Sequence, residues 1–218
     1  MSVVVRGVLI AGVVAVIVAG PLVCFRAAYA YEKRLREVAP GRLYRCGQMT
    51  ADGFEDAVRR CGIRMILNVQ DDYPDPDIEL SFWRPGTIKE SELCKRLGVR
   101  YAWIAPDLVP VRESPAKRPK AVDEFLRLLD DETAYPVLIH CKAGLNRTGC
   151  FVAVYRMEYQ GWSHMEAFQE MKDLGFGTTT CTASNQYVNQ YVLTYRRGLR
   201  HDGHDSSHSA RSTASAKR

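Results

Sequence analysis

HCKAGLNRTG, residues His140–Gly149, directly follows the apolar run Pro136–Ile139 in this 218-residue chain. A short, continuous apolar run is typical of a central strand that is covered on both faces. The residues after it combine a cysteine, two glycines, an arginine and a threonine, and a helix is predicted to begin near Arg147. Because ligands of open α/β sheets bind beyond the carboxyl ends of the strands, this stretch is the predicted functional site.

Cys141 and the residues after it are expected to form an anion-binding loop. Successive backbone N–H groups would face one centre, beside the partial positive charge of the following helix N-terminus, which is an arrangement that binds a tetrahedral oxyanion. The guanidinium of Arg147 adds a planar fork for two phosphate oxygens, and Gly144 lets the loop curl without an obstructing Cβ. The same groups stabilise a thiolate, so Cys141 is predicted to be a nucleophile. The predicted anion-binding residues are Lys142, Ala143, Gly144, Leu145, Asn146 and Arg147.

The Cys-x5-Arg signature, with the preceding His140 and the following Thr148-Gly149, closely resembles that of the cysteine-dependent tyrosine and dual-specificity phosphatases. The stretch RLYRCGQ, residues 42–48, resembles the opening motif of small atypical members, which often have Ser in place of Cys46. The resemblance covers roughly residues 40–195 and implies hydrolysis of phosphate monoesters through a phosphocysteine, with neither a cofactor nor a metal. It also implies that Thr148 hydrogen-bonds the departing sulfur and that His140 orients the loop.

The family mechanism needs a general acid, usually an Asp about thirty residues before the nucleophile. Asp107 in WIAPDLVP stands 34 residues before Cys141 and just after a predicted strand, so it is the predicted acid. An Asp in a proline-rich turn is also common for structural reasons alone. Asp71 and Asp72, which follow the preceding predicted strand, are the alternatives.

Three other residues carry weaker predictions. Lys142 either raises affinity for highly charged phosphates or is simply solvated, and related inositol-lipid phosphatases have a second lysine where this chain has Leu145. Cys46 either forms a disulfide with Cys141 on oxidation or is a buried bystander thiol. Gln186 either positions the hydrolytic water, as a late glutamine does in some relatives, or lies on a helix surface.

An uncharged stretch of 19 residues, from Gly7 to Phe25, is close to the length that crosses a bilayer as a helix. The basic residues after it, Arg26, Lys33, Arg34 and Arg36, outnumber Arg6 before it, which predicts a single-pass anchor with a cytoplasmic catalytic domain. The alternative is export after signal cleavage, because Ala28-Tyr29-Ala30 has the form of a cleavage site.

Strand and helix patterns alternate along the rest of the chain, which predicts an α/β class: one domain with a central, mostly parallel sheet flanked by helices, preceded by a transmembrane helix. The predicted strands are 42–47, 63–69, 99–105 and 136–140. The predicted helices are 51–61 between Thr50 and Gly62, about 87–97, from Ser114-Pro115 to about 131, 147–160, 163–174 opened by the capping box Ser163-x-x-Glu166, and about 183–197.

The chain divides into four predicted segments. They are 1–26, a transmembrane anchor or signal peptide; 27–40, a juxtamembrane linker with helical character; 41–197, the phosphatase catalytic domain; and 198–218, a disordered basic tail. The net charge of +5 arises mostly in residues 196–218, and no basic face with interleaved aromatics favours nucleic-acid binding. Seven cysteines without C-x-x-C spacing indicate neither a disulfide framework nor a zinc site.

Three functions remain compatible with these patterns. The first is a phosphatase for phosphotyrosine proteins, with or without phosphoserine and phosphothreonine. The second is a phosphatase for phosphoinositides or soluble inositol phosphates, acting at a membrane through the N-terminal helix. The third is a phosphate-binding adaptor without activity, against which the complete set of Cys141, Arg147 and Asp107 argues.

Overall fold

The computed structural model describes residues 3–26, 30–81, 83–114, 116–177 and 183–199. Its helices are α1 Val3–Arg26, α2 Ala51–Cys61, α3 Glu90–Leu97, α4 Lys120–Leu129, α5 Asn146–Gln160, α6 His164–Asp173 and α7 Ala183–Tyr187, which continues as the π-helical turns Val188–Leu193. Its strands are β1 Arg36–Ala39, β2 Leu43–Gly47, β3 Met65–Asn68, β4 Asp77–Glu79, β5 Thr87–Lys89, β6 Arg100–Trp103 and β7 Val137–Cys141.

Five of the strands form a sheet in the order β1-β2-β7-β3-β6, in which only the β1–β2 pair is antiparallel. β7 is the central strand and all five of its residues are buried, as its unbroken apolar pattern predicted. The predicted α/β class with a mostly parallel sheet is therefore confirmed. β4 and β5 form a separate antiparallel pair.

The sheet separates two apolar cores, and the residues of β7 alternate between them. Ile139 and Cys141 face the larger core, which contains aromatic side chains of α4 and α5. Leu138 faces the smaller core, to which α2 contributes Phe54. Since successive strand residues point to opposite faces, Cys141 and His140 lie on opposite sides of the sheet.

Local end signals predicted two helices accurately. The Thr50 side chain accepts a hydrogen bond from a backbone N–H in the first turn of α2, and Gly62 ends that helix in the left-handed conformation. At α6 the reciprocal bonds of the capping box between Ser163 and Glu166 are both present. In each case the signal lies within the residues that it organises, so no distant contact has to be known.

Two predictions of local structure were wrong, and a third segment differs in part from its prediction. The helix expected from Ser114 begins instead at Lys120, because its first N–H groups are capped by the side chain of Asp107, earlier in the loop that leads into it; Pro115 lies outside the described residues. The helix expected near 87–97 starts with the strand β5, whose buried Ile88 pairs with β4. Within the described part of the expected linker 27–40, only Ala30 and Tyr31 are helical, and Arg36–Ala39 form β1, which adds an edge to the sheet.

The N-terminal helix α1 contains a span, Val3–Phe25, with a mean hydropathy of 2.8 and none of its surface buried against the rest of the chain. It is long and apolar enough to cross a membrane, a property that a signal sequence shares. Of the predicted tail, residues 200–218 lie outside the described residues, as does Cys181.

Candidate active site

The loop that joins β7 to α5, residues 141–147, is called the phosphate loop below. The backbone N–H of Gly144 donates a hydrogen bond to the Cys141 sulfur at 3.3 Å, so the loop curls back toward its first residue. Gly144 has φ +72°, and a Cβ there would lie 2.4 Å from the carbonyl oxygen of Cys46. Only glycine fits, because the loop packs directly against the backbone of β2.

Two contacts from β2 and the residue after it hold the phosphate loop from outside. The buried guanidinium of Arg45 donates to the Gly144 carbonyl at 2.7 Å. The backbone N–H of Gln48 donates to the carbonyl of Lys142 at 3.3 Å. Burial lowers the pKa of Arg45, and the nearby Glu170 and Cys141 oppose that shift. A buried cation therefore supports the loop from behind.

Arg147 lies in the first turn of α5, where its half-buried guanidinium donates from Nε to Asp71 Oδ2 at 2.7 Å. Tyr187 donates to the other oxygen of Asp71 at 2.9 Å. Burial opposes the charge on Arg147, but the Asp71 carboxylate and the Cys141 sulfur outweigh it and raise the pKa of the guanidinium. Asp71, predicted only as an alternative acid, is thus the partner of Arg147, the residue predicted to bind phosphate.

Asp107 lies in the exposed loop between β6 and α4. Its two carboxylate oxygens accept the backbone N–H groups of Lys120 and Ala121, at 3.2 and 3.0 Å, so the carboxylate caps α4. The Tyr191 hydroxyl donates to the Asp107 backbone carbonyl at 2.8 Å. Among the hydrogen bonds of the described residues, none joins the Asp107 carboxylate to the phosphate loop.

His140 is fully buried and makes a contact that sequence reasoning missed. Its Nε2 lies 2.6 Å from Glu90 Oε1, and both side chains are inaccessible to solvent. The edge of Phe54 packs against the ring. A buried carboxylate on the histidine before Cys141 fixes the end of β7, and no sequence signal distinguished Glu90 from Glu92, the other acidic residue of α3.

The remaining predicted residues occupy varied environments. Thr148 is fully buried, and its hydroxyl has no hydrogen-bond partner among the described residues. Lys142 and Ala143 are exposed, Leu145 is buried and Asn146 is half-buried. Gln186 is exposed on α7.

Cys46 is a free thiol, completely buried beneath the loop, and burial raises its pKa.

A cleft of about 490 Å³ opens beside the phosphate loop. The cationic side chains of its wall are Lys89, Lys142 and Arg147, and the acidic ones are Asp71, Asp72, Asp75 and Asp77. Lys89 is itself paired with Asp77 at 3.0 Å. The lining of the cleft therefore combines three cationic and four acidic side chains, and Asp107 is not part of it.

Residues 43–184 match the family model described as "Dual specificity phosphatase, catalytic domain". The chain belongs to this family. The match covers well over half of the sequence and includes the phosphate loop, Asp71, Glu90 and Asp107.

Curated relatives include dual specificity protein phosphatase TpbA of Pseudomonas aeruginosa, 42% identical over 81 residues, which are 35% of this chain and 37% of the relative. Inositol diphosphatase DSP4 of Arabidopsis thaliana is 43% identical over 51 residues, 23% of this chain and 25% of the relative. The chain thus spans well under half the length of these relatives. A solved structure of P. aeruginosa TpbA in complex with pTyr superposes with a TM-score of 0.51 and 25% identity, covering 71% of this chain and 82% of that one.

Proposed function

We propose that this protein is a cysteine-dependent phosphatase that hydrolyses phosphate monoesters of proteins, phosphotyrosine foremost. One observation carries the proposal. The Cys141 sulfur accepts a backbone N–H of its own loop, and Arg147 lies six positions later in the first turn of α5. A thiolate and a phosphate oxyanion are stabilised by the same set of donors, so the loop both activates the nucleophile and holds its target.

The reaction takes two steps. The Cys141 thiolate forms a bond to phosphorus as the bond from phosphorus to the leaving oxygen breaks, and an acid protonates that oxygen. A water oxygen then attacks phosphorus, the sulfur departs, and the acid takes back a proton, which releases inorganic phosphate. Loop N–H groups and Arg147 hold the other phosphate oxygens in both steps. The buried, unpartnered hydroxyl of Thr148 is the proposed donor to the departing sulfur.

Asp107 is the proposed acid, and it has to leave the cap of α4 to act. The proposal rests on its place after β6 and on its exposure, because an exposed loop rearranges at low cost. Asp71 is the less favoured candidate, since its carboxylate is engaged by Arg147 and Tyr187. The acid role is therefore proposed together with a movement of the loop between β6 and α4.

The wall of the cleft favours a protein substrate over an inositol polyphosphate. Four Asp against Lys89, Lys142 and Arg147 leave the lining with a net charge of −1 (three positive, four negative), and a ring that carries several phosphates would be repelled by it. A protein side chain brings one phosphate and neutral or basic neighbours. The pTyr-bound TpbA structure agrees with this choice. Hydrolysis of inositol phosphates is the second candidate, favoured by Lys142 beside Arg147 and by the relative named inositol diphosphatase.

The deciding experiment measures phosphate release by the full chain purified in detergent, without metal and with a reductant. Substrates are a phosphotyrosine peptide, a phosphothreonine peptide, inositol hexakisphosphate and phosphoinositide vesicles. We expect the phosphotyrosine peptide to be hydrolysed fastest and Cys141→Ser to lose at least about 10⁴-fold in rate. The control Cys61→Ser, at a half-exposed thiol on α2, keeps its activity. Faster hydrolysis of an inositol phosphate would select the second candidate, and phosphate binding without release would select the adaptor.

For localisation, we propose that α1 is a single-pass anchor with the catalytic domain in the cytoplasm. The support is the length and hydropathy of α1 together with the excess of basic residues after it. A C-terminal fusion to a reporter that is active only on one side of the membrane tests this orientation. Activity on the outer side, with a mature chain that starts near Tyr31, would show export after cleavage instead.

A further inference from the structure

Three consecutive carbonyl groups of the phosphate loop are each bonded by a donor outside the loop. The carbonyl of Lys142 accepts from the Gln48 backbone, and that of Gly144 accepts from Arg45. The carbonyl between them, on Ala143, accepts from the guanidinium of Arg34 at 3.0 Å. Arg34 lies 109 positions before Ala143 and outside the region that matches the family model.

The direction of each carbonyl fixes the direction of the next N–H. A trans peptide is planar, and its C=O and N–H bonds point in opposite directions. When an outside donor holds the Ala143 carbonyl away from the loop, the N–H of Gly144 turns inward. That is the N–H that donates to the Cys141 sulfur. Arg34 and Cys141 are therefore joined through a single peptide plane.

The segment that carries Arg34 is docked on the catalytic domain at several points. The carbonyl of Ala30 accepts from the backbone of Thr50 at 3.1 Å, and that of Lys33 accepts from the backbone of Gly47 at 2.7 Å. Gly47 is the strand partner of Cys141 in the β2–β7 pair. The stem of Lys33 covers Gly47 so closely that a Cβ there would lie 2.9 Å from it.

The backbone of this segment is strained at the residues that make the contact. Lys33 and Arg34 have φ values of +22° and +64°, and no other described non-glycine residue has positive φ. Such conformations are unfavourable for residues with a Cβ and persist only where surrounding contacts enforce them. The two residues bend the chain toward the phosphate loop, where burial and the nearby charge of Lys142 lower the pKa of Lys33.

We propose that Arg34 is a positioning residue of the active site: through the Ala143 carbonyl it holds the Gly144 N–H on the Cys141 sulfur and on a bound phosphate oxygen. This rests on the proposed function for the role of the sulfur, although the contact itself does not depend on turnover. The segment after α1, expected from sequence to be only a linker, thereby forms part of the catalytic machinery.

A positioning role and a plain charge effect predict different responses to salt. A guanidinium near Cys141 favours the thiolate through space, and that attraction is screened within about 3 Å at 1 M salt. A peptide plane held by a hydrogen bond keeps its orientation at the same salt concentration. The salt dependence of an Arg34 variant therefore separates the two explanations.

The test compares Arg34→Met and Arg34→Gln with the control Arg36→Met, all as full chains in detergent. Arg36 lies two residues further along on β1, carries the same charge and is exposed. The first readout is the pH dependence of Cys141 alkylation by uncharged iodoacetamide, followed by mass spectrometry of the peptide that contains Cys141. The second is the inhibition constant of orthovanadate, and both are measured at 0.1 M and 1 M salt. Thermal unfolding of each variant confirms that it is folded.

For Arg34→Met we expect the alkylation midpoint to rise by about half a pH unit or more and vanadate inhibition to weaken about tenfold at both salt concentrations. Arg34→Gln keeps a shorter N–H donor, so its shifts are smaller; it also serves if the Met variant does not fold. Unchanged midpoints, shifts that vanish at 1 M salt, or equal shifts in Arg36→Met would each overturn the proposal. If the parent chain releases no phosphate but the midpoints shift as expected, the proposed function fails and the positioning role stands.

Discussion

The phosphate loop and the loop that carries Asp107 serve one proposed reaction but are built in opposite ways. The first lies between a buried strand and a helix, and neighbouring donors fix its peptide planes. The second is exposed, follows an edge strand, and uses its one carboxylate to cap α4. In the proposed reaction, anion binding is therefore preformed in the fold, whereas the proposed proton donor caps a helix and has to leave it to act.

The largest effect is expected at Gly144, where the phosphate loop packs directly against the backbone of β2. Gly144→Ala places a Cβ 2.4 Å from the Cys46 carbonyl in a left-handed conformation, so the loop cannot keep its curl. We expect kcat/KM to fall by about 10²–10³, as for the loss of an oxyanion-hole donor. Steady-state kinetics on a phosphotyrosine peptide measure it.

Gly62→Ala is the matched control, because Gly62 has φ +64° with nothing within 4 Å of an added Cβ. It should lose roughly 1 kcal/mol of stability and no activity. Full activity in Gly144→Ala would show that the phosphate loop is not rigid, and the comparison would fail.

An intermediate effect is expected at Asp107, in the loop between β6 and α4. Asp107→Asn removes the proton but keeps an oxygen that can still cap α4, so the protein stays folded while kcat falls about 10²-fold on a phosphotyrosine peptide. The loss should be much smaller on an aryl phosphate whose leaving group is a weak base and needs no proton. Asp173→Asn, at the exposed end of α6, is the control. Equal losses on both substrates would remove Asp107 as the acid.

The smallest effect is expected at Asp71. In Asp71→Asn the Arg147 guanidinium loses its charged partner but still contacts an amide oxygen, so we expect KM to rise several-fold and kcat to change little. A rise in KM would support the difference between the two loops, because it would show that Asp71 acts with the phosphate loop in binding and not as the acid. Should kcat fall with a dependence on the leaving group, Asp71 and not Asp107 is the acid.

The features that sequence predicted well are those whose cause is local. The apolar run before Cys141, the caps of α2 and the capping box of α6 each lie within the few residues that they shape. The nucleophile and Arg147 share one such stretch, so their position at the end of β7 followed directly from the pattern.

The features that sequence missed depend on contacts between distant positions. Asp107 caps a helix that begins 13 residues later, so the helix start was misplaced. Glu90 meets His140 across 50 positions and Arg34 meets Ala143 across 109, and nothing in the spacing of these residues signals either pair. Such contacts can be predicted only once the order of the strands in the sheet is known, because the sheet brings these segments together.

The docking of Ala30 onto Thr50 sets the length of a tether. Helix α1 ends at Arg26, so only four Cα–Cα steps, about 14 Å at full extension, separate it from the first docked residue. For α1 embedded in a bilayer, the catalytic domain sits against the lipid surface and cannot swing away from it. Under the proposed function and anchor, substrates would be selected by height above the membrane as well as by chemistry: a phosphorylated residue close to the bilayer would be within reach, and one at the end of a tall rigid domain would not.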